Sequence, residues 1–114
     1  MTFLLYSGET RAQTMVLGIL VNTDRHSDEV IGLSRAALSR GHKVIIFLMD
    51  AGTKILGASS FCDLCASEGV TASFCDYNAK ALNIPADQIP RTITRGSQYD
   101  NAVMVNKADR VIVL

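Results

Sequence analysis

Short apolar runs alternating with segments of helical period constrain this chain more than any other feature. Residues 15–21 read MVLGILV and residues 43–49 read KVIIFLM. Runs of that length without alternating polar positions are strands covered on both faces. Residues 70–74 (VTASF) and 110–114 (RVIVL) repeat the pattern more weakly, and residues 91–94 supply a further short strand. Between the first two runs, Val30, Ile31, Leu33, Ser34, Ala37 and Leu38 make a stripe at helical spacing, and Gly41 provides the stop. A turn over residues 50–53 leads to a second helix over residues 55–67, ended by Gly69. A third helix over residues 76–82 must stop before Pro85, and residues 86–90 are a loop. Gly96 then turns the chain, and Ser97 caps a last helix reaching Lys107, with Asp100 placed to close a capping box.

Strand and helix in strict alternation imply parallel βαβ units with right-handed crossovers. The expected architecture is a single α/β domain, a three-layer α/β/α sandwich around a mainly parallel sheet of about five strands. Residues 1–14 fit neither period and read as an extra edge strand or a mobile tail.

At 114 residues the chain has the length of one ordinary domain. It is 48% apolar, and its 11 basic and 11 acidic residues cancel. A neutral, apolar-rich small domain is expected to hide part of its surface in a homo-oligomer. Without a basic cluster there is no electrostatic reason to expect nucleic acid, and no run is long enough to cross a bilayer. The brief apolar stretch at residues 3–6 lacks the basic flank and length of a secretory signal, so a cytoplasmic location is expected. Three cysteines fit reduced thiols better than a disulfide scaffold.

In an open parallel sheet, ligands bind where the chain leaves the carboxyl ends of the strands. That edge collects residues 22–26 after the first strand, Asp50 and Thr53 after the second, Cys75, Asp76 and Asn78 after the third, and residues 95–99 after the fourth. Cys75 is the one strong nucleophile among them. It stands where a strand meets a helix, and helix amides favour thiolate over thiol. A buried, inert core cysteine is the competing reading, and Asp76 beside it disfavours a thiolate. His26, Arg95, Ser97, Gln98 and Tyr99 are candidate neighbours that would shape the pocket. Ser97 is equally well explained as an ordinary N-cap, and His26 as a solvated loop residue.

Cys62 and Cys65 have the spacing of a redox pair or half a zinc site. They fall inside a helix instead of at its start, and a structural zinc would require two more ligands from Cys75, His26 and His42. Packing, a redox role and metal binding all stay open for this pair, in that order, and no metal site is assigned. His42 lies on the opposite edge and is expected at the surface. Neither phosphate-binding glycine motif occurs, so nucleotide binding has no support and no cofactor is expected.

The blocks MVLGILV, FLMDAG, GVTASFCDYNAKALNI and GSQYDNAVMVNKADRVIVL, in this order, resemble the DsrE/DsrF/DsrH-like sulfur-relay family, which includes the Tus-type proteins of tRNA thiolation. The resemblance spans residues 15–114 and matches the family's sulfur-carrying cysteine to Cys75. It implies a small three-layer domain, assembled as a trimer or hexamer, that passes sulfane sulfur between donor and acceptor proteins as a Cys75 persulfide. Alternatives are a non-catalytic assembly protein of the same fold and a thiol oxidoreductase using Cys62 and Cys65.

Overall fold

The computed structural model describes residues 13–114. Residues 1–12, which hold most of the segment expected as an edge strand or tail, lie outside it. The chain runs β1 (Val16–Val21), α1 (Ser27–Ser39), β2 (Lys43–Leu48), a 3-10 turn (Asp50–Ile55), α2 (Ser59–Cys65), β3 (Val70–Cys75), α3 (Asp76–Ala81), a 3-10 turn (Ala86–Gln88), β4 (Ile93–Gly96), α4 (Gln98–Lys107) and β5 (Arg110–Val113). Among the described residues the sheet has five strands in the order β4-β3-β2-β1-β5, every pair parallel.

The strand order dictates which face each helix covers. Steps from β1 to β4 all move the same way across the sheet, so right-handed crossovers put their helices on one face. Val30 of α1, Phe61 and Leu64 of α2 and Ala79 of α3 accordingly share one core with Ile19, Val21, Val44, Ile46, Leu48, Ala72 and Phe74. The step from β4 back to β5 reverses direction and carries α4 to the opposite face, where Met104 packs with Phe47 and Cys75. Side-chain alternation along β2 and β3 assigns the rest: Leu48 and Phe74 point to the first core, Phe47 and Cys75 to the second. The three-layer sandwich and its parallel sheet are as the alternation of periods implies.

Local signals set the boundaries. At the end of α1, Gly41 takes φ +84°, which a residue with a Cβ rarely adopts. Its N–H reaches the carbonyl of Leu38, and that of His42 reaches Ala37, closing a Schellman motif. Ser97 caps α4 as anticipated: its hydroxyl accepts the N–H of Tyr99 at 3.2 Å, and Asp100 Oδ2 accepts the N–H of Ser97 at 2.9 Å.

Two boundaries differ from the sequence reading. The helix expected over residues 55–67 is shortened to α2: the 3-10 turn that occupies residues 50–55 ends at Ile55, residues 56–57 form a turn, and Ala58 is extended (ψ 127°). Within the 3-10 turn the chain passes so close to β1 at Gly52 that any Cβ there would overlap the carbonyl oxygen of Val21. The fourth strand is shifted by two residues: Arg91 and Thr92 form a turn in which the Ile93 N–H bonds to the Pro90 carbonyl at 3.1 Å, and Gly96, expected to turn the chain, is the last strand residue, paired with Cys75. No helix among the described residues is long and apolar enough to cross a membrane.

Candidate functional site

Cys75 is both the last residue of β3 and the N-cap of α3. Its backbone is extended (φ −76°, ψ 109°), and its side chain makes no capping hydrogen bond. The residue is 5% exposed and packs with Phe47 and Met104, with the half-buried Leu20, Ile45 and Met49 around them. Continuing the β2–β3 register by one residue sets Met49 level with Cys75. Met49 is in turn touched by Gln98 from α4, whose Nε2 lies 3.9 Å from the thioether sulfur. Gln98 Oε1 accepts from Asn101 Nδ2 at 3.3 Å, while Asn101 Oδ1 is buried with no donor among the described residues. Met49 and the first turn of α4 therefore stand beside the apolar cluster that holds the thiol, Gln98 and Asn101 supplying its polar fringe.

The backbone next to Met49 is held in an unusual state. Asp50 has φ +48°, a left-handed conformation that costs a non-glycine residue about 1 kcal/mol or more. Its N–H donates to Asn78 Oδ1 of α3 at 3.0 Å. The loop leaving β2 is thus tied to α3 on one side and to α4 on the other.

Asp76, the first residue of α3, is neutralised by two cations. Lys80 Nζ stands 3.0 Å away, and Arg95 pairs with the other carboxylate oxygen. The hydrogen bond from Lys80 foremost, joined by Arg95 and opposed by partial burial, holds the Asp76 carboxyl below its ordinary value. This pairing offsets the negative charge next to Cys75 that the sequence sets against a thiolate.

The remaining expected residues are distributed unequally. Arg95 pairs with Phe74 in the β3–β4 register, its guanidinium 5.5 Å from that ring, so it lies on the face opposite Cys75. Gly96 is the residue opposite Cys75. Ser97 is engaged as the α4 cap, and Tyr99 beside it is 74% exposed. His26 precedes α1, two strands from β3, a separation of roughly 10 Å by strand spacing; its Nδ1 is 3.9 Å from Glu29. No hydrogen bond or ion pair among the described residues joins His26 to Cys75. Gln98 thus reaches Met49 beside the thiol, Tyr99 is exposed on the same helix turn, Arg95 pairs with Asp76, and His26 stands apart. Met49 and Asn101 escape the sequence reading: Met49 looks like strand residue, and Asn101 lies one helical turn beyond the expected cluster.

Cys62 and Cys65 sit on α2, on the far side of the sheet. Both are free thiols. Cys62 Sγ donates to the Leu56 carbonyl at 3.2 Å, and burial together with Asp63 pushes its pKa up. Cys65 belongs to the first core, where burial and then Cys62 push it up to about 12. Thiols in that state are poor nucleophiles near neutral pH. No three potential metal ligands cluster among the described residues.

A five-stranded parallel sheet in this order, with three helices on one face and a single helix on the other, is the DsrE-like fold. Among solved structures, the chain is similar to the YchN protein of E. coli, with TM-score 0.65 and 13% identity over 90% of this chain and 100% of the other. It is likewise similar to MTH1491 of Methanobacterium thermoautotrophicum, a protein of unknown function, with TM-score 0.71 and 13% identity over 88% of this chain and 99% of that one. At such identity the likeness is one of fold. No protein-family model matches the chain. None of the curated proteins matches its sequence either.

Proposed function

We propose that this chain carries sulfane sulfur as a persulfide on Cys75, taking it from a donor protein and passing it to an acceptor. The observation that carries this reading is the position of Cys75 at the carboxyl end of β3, as the N-cap of α3 with its flanking carboxylate paired to Lys80 and Arg95. The Cys75 thiolate attacks the outer sulfur of a donor persulfide; one S–S bond forms as another breaks, and the donor leaves as a thiolate. An acceptor thiolate then attacks the outer sulfur of Cys75–S–SH and regenerates Cys75, so the cycle is redox-neutral and consumes no cofactor. Gln98 and Tyr99 border the approach, Ser97 holds the α4 turn that presents them, and Arg95 acts by restraining Asp76. His26 would join only through the wider edge. The working form is a cytoplasmic homotrimer or homohexamer, which would also cover exposed apolar side chains such as Val111 and Val113.

The near-complete burial of Cys75 favours a second reading, in which the thiol only packs and the fold serves assembly. Incubation with a sulfane-sulfur donor and intact-mass measurement separates the two. Sulfur transfer requires a one-sulfur gain that is lost in Cys75→Ala and retained in Cys62→Ala. A gain that survives Cys75→Ala and vanishes in Cys62→Ala refutes the assignment, and absence of any gain favours the assembly reading. An oxidoreductase using Cys62 and Cys65 would instead form a reversible internal disulfide, abolished by either substitution.

A further inference from the structure

A hollow with a volume of about 780 Å³ lies away from Cys75, at the amino ends of β2 and β3. That size falls within the range of small-molecule sites. On the α4 face of the sheet its apolar lining is Val16 and Ile45, and its rim carries Lys43, Lys107, His42 and Glu68. Neither lysine is in an ion pair among the described residues. His42, expected at the surface, is half-buried, and its Nδ1 accepts the Met15 N–H at 3.1 Å. A ring nitrogen that accepts carries no proton, so the donor left on His42 is Nε2–H. The rim thus offers two ammonium groups against one carboxylate, beside an aliphatic surface. We propose that this hollow binds a small amphipathic anion, its apolar body on Val16 and Ile45 and its acidic group between Lys43 and Lys107.

Charge and shape each select against alternatives. A cation would meet two lysines. A fully polar anion would leave the aliphatic surface wet, whereas a neutral apolar molecule would gain nothing from the rim. The site needs no thiol and is independent of the role assigned to Cys75.

The test uses the full chain and anilinonaphthalene sulfonate, with neutral anilinonaphthalene as comparator. Saturable fluorescence binding of the sulfonate is expected, with amide shift changes centred on Lys43, Gly69, Thr71 and Lys107. The affinity should fall roughly tenfold or more in the Lys43→Gln/Lys107→Gln double variant, since each substitution removes a charge-assisted hydrogen bond. Both substitutions are at exposed positions, and retained amide dispersion verifies the fold. Equal affinity for the neutral comparator, shifts centred elsewhere, no saturation, or an unaltered affinity in the double variant would each overturn the proposal.

Discussion

Replacing Ser97 with alanine tests whether the first turn of α4 is the cover over Cys75. The Ser97 hydroxyl holds the Tyr99 N–H at 3.2 Å, and Asp100 returns a bond to the Ser97 N–H at 2.9 Å. Loss of an N-cap side chain costs about 1 kcal/mol. That loss would be read as a lower urea midpoint with an unchanged slope, and as a melting temperature lower by roughly 4–8 °C for a domain of this size. The helix turn that frays is the one bearing Gln98, which touches Met49 beside Cys75. If access to the thiol is through that turn, the open population rises by a factor of about five for 1 kcal/mol, and native-state alkylation of Cys75 accelerates to the same extent. Global unfolding would also expose the thiol, so the alkylation rate is measured against urea well below the midpoint. A local opening changes little with urea, whereas global opening follows the full unfolding slope. Destabilisation without faster, urea-insensitive alkylation would refute the assignment of α4 as the cover. No destabilisation would refute the capping argument itself.

Two titrations follow from the charge environment. The Asp76 carboxyl is held below its ordinary value of 3.8 by Lys80 and Arg95, so its contribution is present above that value and lost as pH falls through the lowered one. In Asp76→Asn this acid-limb dependence should disappear from urea-derived stability measured down from neutral pH, and an unchanged acid limb would contradict the pairing. Cys65 has the opposite sign: its thiol rises from 9.0 to about 12, so stability that is complete below 9.0 declines as pH climbs toward the folded value. Cys65→Ala should be less stable at neutral pH, from the lost packing, but show a flatter alkaline limb than the parent chain.

The fold was readable because each strand is either an unbroken apolar run or a short run framed by turn residues. Residues 15–21 and 43–49 leave no alternative to a buried strand, and the Ser97–Asp100 box fixes its helix start to the residue. The break at Ala58 was not readable, and neither was the close approach of Gly52 to the Val21 carbonyl, a meeting of residues far apart in sequence. The site was legible in its position more than in its membership. Strand order is needed to learn that Arg95 shares a face with Phe74, and the register must be known before Met49 stands out beside Cys75. The tilt of an i,i+3 pair tells nothing of burial, so the state of Cys62 and Cys65 depended on where α2 packs.

The sheet that separates the two cores also partitions the chain's thiols. Cys65 faces one side with Cys62 on the same helix, and Cys75 faces the other. A disulfide tolerates only about 4.4–6.8 Å between Cα atoms, a span that cannot pass through a hydrogen-bonded sheet. Cys75 therefore has no resolving thiol within its own subunit. Any thiol that releases an adduct from Cys75 must therefore belong to another molecule, which makes the lifetime of such an adduct a property of the encounter and not of the folded chain.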